Sequence, residues 1–76
     1  MKVVYNVIEP GEVKLEVFNL WGQRVRVLID EHQDIGVWSA AWDGTDKNGN
    51  RLASGIYLYS LRANGRRMTR TLLLIR

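Results

Sequence analysis

Trp42-Asp43-Gly44, followed after a polar stretch by Leu52-Ala53-Ser54-Gly55-Ile56-Tyr57-Leu58-Tyr59, decides the fold of this chain. A large aromatic, an acidic glycine-containing turn and a run of alternating aromatics fall within eighteen residues. Alternation with a period of two marks a half-buried β-strand, because successive side chains point to opposite faces. Tyr57, Tyr59 and Leu61 then share one face. Upstream, Trp38, Ala40 and Trp42 do the same, in the large-small-large order that close packing against an opposing sheet requires. No catalytic apparatus needs this arrangement; a small β-sandwich does.

The same pattern extends outward in both directions. Lys2 to Ile8 predicts a first strand. Glu9-Pro10-Gly11-Glu12 predicts a turn, since Pro10 presets φ and Gly11 tolerates positive φ. Val13, Leu15 and Val17 line one face of a second strand, with Lys14 and Glu16 on the other. Asn19 to Gln23 turns the chain, and Val25 and Val27 resume the alternation between Arg24 and Arg26. Asp30 to Gly36 reads as a polar loop, and Val37 to Trp42 as the next strand. Asp43 to Arg51 is the longest irregular piece, with Asn48-Gly49 as its turn signal. Ala63-Asn64-Gly65-Arg66 predicts a hairpin, and Arg67 to Arg76 the last strand. Nowhere do apolar residues hold a helical period beyond two turns. Strands at this spacing predict a single all-β domain over residues 1–76, an antiparallel sandwich of about seven strands. Its expected core is Val13, Leu15, Val17, Val25, Val27, Trp38, Ala40, Trp42, Tyr57, Tyr59 and Leu61.

Composition narrows the function classes. At 76 residues the chain is near the lower limit for a self-sufficient core, with a total stability of roughly 4–11 kcal/mol. The absence of cysteine removes disulfides, thiol catalysis and thiolate metal sites, and the single histidine, His32, argues against zinc. No apolar run approaches the ~18 residues of a helical membrane span. Residues 1–8 lack the pattern of a secretory signal. The net charge of +3 hides an asymmetry. Residues 1–50 carry five basic and eight acidic side chains, whereas residues 51–76 carry six arginines and no acid.

Sharper readings of individual residues meet plainer ones. Asp43, Asp46, Asn48 and Asn50 offer oxygens for calcium, but the glycine at 49 comes too early for an EF-hand and no glutamate comes after it. Asp and Asn also cap turns through their own backbone, and that reading is favoured. Asp30, Glu31, His32 and Asp34 have no nucleophile at a recognisable elbow, so no acid–base site is expected. Tyr57, Tyr59, Arg62, Arg66, Arg67 and Arg70 contain the ingredients of a single-stranded nucleic-acid surface. Because the tyrosines share a face with Leu61, core-facing rings with rim hydroxyls are favoured, and nucleic acid is the weaker partner reading. Leu72-Leu73-Leu74-Ile75 is apolar on both faces. Either Leu72 with Leu74 or Leu73 with Ile75 packs inward, and the other pair covers a neighbour or leaves an edge open to strand addition.

Several of these pieces, taken in order, resemble the immunoglobulin-like domain shared by flagellar hook-capping proteins and by type IX (Por) secretion C-terminal sorting domains. The matching pieces are Val13 to Leu20 with Gly22-Gln23-Arg24-Val25, Gly36 with Trp42-Asp43-Gly44, Ala53 to Tyr59 with Leu61, and Arg70 to Arg76. Trp21 stands where the family usually has a smaller aliphatic, and the Asp43–Asn50 loop is the fuller form of hook-capping-like members. The resemblance implies an immunoglobulin-like topology and a module at the C-terminal end of a larger exported protein. Its first implied function is a non-catalytic sorting domain that directs a passenger through the type IX machinery to the cell surface or beyond. Thr71, Leu72, Leu73, Leu74, Ile75 and Arg76 would then be the recognition strand. The alternative is a structural module of the hook-capping type that contacts neighbouring subunits. No cofactor, metal or small-molecule substrate is expected in either case, and self-association through an edge strand is a further expectation.

Overall fold

The computed structural model describes all residues, 1–76. Six strands succeed one another: β1 (Lys2–Val7), β2 (Gly11–Phe18), β3 (Arg24–Gln33), β4 (Gly36–Ala41), β5 (Gly55–Ala63) and β6 (Arg66–Leu74). They form two antiparallel sheets, one of two strands (β1-β4) and one of four (β3-β2-β5-β6). The fold is thus an all-β sandwich, with six strands in place of the expected seven or so. The shortfall lies in residues 42–54, where a single isolated bridge, Thr45 to Arg51, replaces a strand. Aspartate side chains satisfy the backbone there, so no ladder is needed.

Alternation does what the sequence pattern demands. Val3, Tyr5 and Val7 of β1 face inward and join Val13, Leu15, Ala40 and Leu61 in the larger of two buried clusters. Val17, Trp42, Leu72 and Leu74 form the smaller one. Leu28 and Tyr59 pack against both and link them. The β1 residues are legible as a strand but absent from the expected core. Val13, Leu15, Val17, Ala40, Trp42 and Leu61 are buried as expected. Val25, Tyr57 and Tyr59 are only half-buried, because a two-stranded sheet cannot cover the whole inner face of a four-stranded one; Trp38, on the two-stranded sheet itself, is half-buried too.

Val27 is a correction. The β2–β3 register shifts twice, between Leu15 and Glu16 and between Val17 and Phe18, so that Leu15 pairs with Ile29 but Glu16 pairs with Val27. Each bulge inserts one unpaired residue and reverses the facing of the residues beyond it. Val27 therefore lies on the outer face beside Glu16, and Leu28 takes the core position.

The polar loop expected over Asp30–Gly36 is also corrected. β3 continues to Gln33, leaving Asp34-Ile35 to connect it to β4. Gln33 is buried, and its Oε1 accepts a 2.7 Å hydrogen bond from the Tyr5 hydroxyl. That bond makes a polar residue compatible with the interior. At the other end of the chain the last strand begins at Arg66 and ends at Leu74. The Asn64-Gly65 turn that leads into it has positive φ at both residues, 54° and 73°, which is the type I′ hairpin geometry.

Candidate functional site

Trp42 sits at the junction of sheet and loop. Its ring is 2% exposed and meets Tyr57 edge-on, with centroids 5.3 Å apart at 73°. Its Nε1 donates to the Thr45 carbonyl at 2.9 Å, and Tyr57 Oη donates to the Ala53 carbonyl at 2.6 Å. The aromatics of the opening motif are therefore a framework, with polar atoms reaching the rim. They present no reactive group to solvent.

The adjoining loop is built on two aspartates. Asp43 Oδ1 accepts from Thr45 N at 3.0 Å and Thr45 Oγ1 at 2.6 Å, with the Arg26 guanidinium 3.5 Å away. Asp46 Oδ1 accepts from Asn48 N at 2.9 Å and Asn50 N at 3.0 Å, and its Oδ2 from Asn50 Nδ2 at 3.2 Å. These donors favour the ionised forms. The Thr45 hydroxyl and amide hold Asp43 below the ordinary aspartate pKa, and the Asn50 amide does the same for Asp46. Both carboxylates are thus occupied as turn caps.

Asp30, Glu31, His32 and Asp34 do not converge. Asp30 and His32 lie opposite Lys14 and Glu12 on the outer face, while Glu31, opposite Val13, points the other way. His32 Nε2 is 3.5 Å from Asp34 Oδ1, with both side chains largely exposed.

The C-terminal strand divides into buried and exposed residues. Leu72 and Leu74 belong to the core around Trp42. Thr71 is exposed, as are Leu73 (59%) and Ile75 (77%). Arg76 folds back: its N donates to Ser54 Oγ at 3.0 Å, its Nε to the Leu52 carbonyl at 2.6 Å and its Nη2 to the Gly44 carbonyl. Gly44 has a φ of 78° and is buried beneath this guanidinium, where a Cβ would collide with it. Of the six residues of the implied recognition strand, Thr71, Leu73 and Ile75 remain accessible; Leu72, Leu74 and Arg76 hold the fold.

The outer face of the four-stranded sheet carries features that the sequence pattern does not single out. Glu16 is buried, 3.1 Å from Arg24 and 3.9 Å from Lys14. Arg67 Nε donates to the buried Ser60 Oγ at 3.0 Å. One row further down, Phe18 pairs with Leu58, and Ile56 with Leu73, as apolar neighbours on the solvent side. The signal for them is the second parity of β5, where Ile56 and Leu58 alternate with the inward Tyr57 and Tyr59. At the adjoining turn, Asn19 Oδ1 accepts from the amides of Trp21 and Gln23, each at 3.0 Å. This rigid turn presents Trp21 at 85% exposure. An exposed tryptophan on a pre-organised turn is the kind of anchor that protein interfaces use.

Comparison with known proteins agrees with this geometry. The family model described as the FlgD Ig-like domain matches residues 3–66. The chain belongs to the FlgD Ig-like domain family. Among solved structures, this FlgD-type domain is similar to the crystal structure of FlgD from P. aeruginosa, with a TM-score of 0.65 and 26% identity. That similarity covers 95% of this chain and 58% of the other, so the chain spans little more than half the length of that protein. No curated protein sequence matches.

Proposed function

We propose that this FlgD-type domain is a non-catalytic assembly module that contacts protein subunits, in the manner of hook-capping proteins, as one part of a larger exported protein. The observation that carries this reading is the family match over residues 3–66. The geometry supports it from a different direction: the polar groups most elaborately arranged, those of Asp43, Asp46 and Arg76, are spent on fixing loops, while aromatic and aliphatic side chains lie open on the surface.

The sorting reading draws no support from either comparison, both of which point to FlgD. Two residues of its implied recognition strand, Leu72 and Leu74, are also core residues. A reporter separates the two readings. Residues 1–76 are fused to the C-terminus of a periplasmic reporter in a bacterium with a working type IX system. The assembly reading expects the reporter to stay in the periplasm, with or without Thr71–Arg76. Surface delivery that depends on those residues would establish sorting instead.

A further inference from the structure

The two outer strands of the four-stranded sheet end it in different ways. The edge formed by β3 is interrupted by two bulges, and the loop covers part of it where Lys47 N donates to the Val25 carbonyl at 3.1 Å. Bulges, covering segments and charged side chains are three ways in which natural sheets blunt an edge. β6 has no bulge and no cover, and is guarded only by the charge of Arg66, Arg67 and Arg70, which repels a further strand unless that strand brings acids. Its register with β5 is continuous from Ala63↔Arg66 to Gly55↔Leu74.

The two-residue hairpin makes Ala63 and Arg66 a hydrogen-bonded pair, and such pairs alternate along an antiparallel ladder. Arg67, Thr69, Thr71 and Leu73 therefore turn their N–H and C=O groups away from β5, toward the open side. One of those carbonyls, that of Thr69, accepts from Arg70 Nη1 at 3.1 Å; none of these four residues takes part in the backbone bonds made outside the ladders.

Charge is distributed unevenly along this edge. Asp30, Lys14, Arg62 and Arg67 are successive cross-strand partners on the outer face of β3, β2, β5 and β6; Lys14 has Glu16 3.9 Å away, so the excess positive charge of the row lies in the two arginines next to the edge. Arg66 and Arg70 stand on the opposite face of β6, and residues 51–76 contain no acid to compensate them. Six residues beyond Arg67 the edge is apolar, with Leu73 beside Ile56.

We propose that the free edge of β6 accepts one further strand, an extended acidic–aliphatic segment of a partner protein. An antiparallel segment places an aliphatic residue opposite Leu73, an acid three residues later opposite Arg70, and another acid six residues later opposite Arg67. Backbone pairing supplies the attachment, and the carboxylates fix register and direction. A second copy of this chain fits poorly: pairing centred on Arg70 sets that residue against itself, and every register adds the same uncompensated cations. The inference rests on the assembly reading and names the chemistry of its partner.

The test uses the 76-residue chain and a fluorescent octapeptide, Val-Thr-Val-Glu-Thr-Val-Glu-Asp. Three companions are an N-methylated version that cannot pair, a version with lysine for each acid, and the double variant R67E/R70E, whose fold is checked by circular dichroism. The acidic peptide should bind and slow amide exchange at residues 67, 69, 71 and 73, with affinity falling about tenfold for R67E/R70E and recovering with the lysine peptide. N-methylation should abolish binding. Equal binding of the N-methylated peptide, no binding of the acidic one to the folded chain, or sedimentation as a dimer through β6 would each overturn the proposal. These outcomes leave the reporter result unchanged, so failure of the edge proposal is distinguishable from failure of the assembly reading.

Discussion

At the scale of single residues, Trp42 and the two loop aspartates show how this small domain uses its few specific interactions. Trp42 fills the smaller core cluster, stacks edge-on against Tyr57 and ties the loop to the sheet through the Thr45 carbonyl. Trp42→Ala should cost about 3–5 kcal/mol in urea unfolding, a large share of the total. Asp43 and Asp46 act differently. Their neighbours hold both carboxyls below the ordinary aspartate value of 3.8, so the stabilisation is full above that pH and is lost as pH falls through the lower, folded values. The melting temperature should therefore drop on acidification below about pH 3.8, and D43N/D46N should flatten that drop in thermal scans from about pH 7 to about pH 2.5. What these residues do is partly legible in the sequence. Asp and Asn around Asn48-Gly49 identify a self-capping turn by type alone. The Tyr5–Gln33 pair is not legible, because 28 positions separate its members and no local pattern marks a glutamine as an interior residue. Arg76 escapes for the same reason: nothing in a terminal arginine announces that it will reach Gly44 and Leu52.

Among the elements, β3 and β6 show where reading by period succeeds and where it fails. In β6 the two-residue period is unbroken, and sequence leaves open only which parity faces inward. The structure answers with Leu72 at 5% exposure and Leu73 at 59%. Leu72→Ala should then cost about 2–5 kcal/mol, while Leu73→Ala should change stability by less than about 0.5 kcal/mol. Parallel denaturant titrations check this; similar losses for both would mean that the strand's facing is misassigned. In β3 two bulges break the period, so Val27 faces out and Leu28 in. A bulge is set by the partner strand and the overall twist, which a single segment does not encode. The same dependence explains the β1 residues: Val3, Tyr5 and Val7 are visibly alternating, but their depth comes from lying over β2 and β5.

For the molecule as a whole, a two-stranded sheet laid over a four-stranded one leaves much apolar surface uncovered. Trp21, Ile56, Leu73 and Ile75 are all more than half exposed. Scattered exposed hydrophobics are ordinary. Here Phe18, Leu58, Ile56 and Leu73 are instead neighbours on one face, next to an edge that no bulge or loop covers, and surface of that kind is characteristic of protein contact sites. Sequence order is sufficient for the sandwich and its family, because those depend on strand periodicity and turn chemistry. The docking surface is not legible, because it is assembled from the outer parities of three strands whose pairing only the fold reveals. Whether the domain serves subunit assembly is decided by its deletion in the bacterium that encodes it. Residues 1–76 are deleted from the gene, and flagellar hooks are imaged by electron microscopy alongside cells carrying the intact gene. A domain that serves assembly leaves hooks absent or malformed when it is deleted, and the intact domain restores them. Normal hooks in the deletion strain would contradict that role.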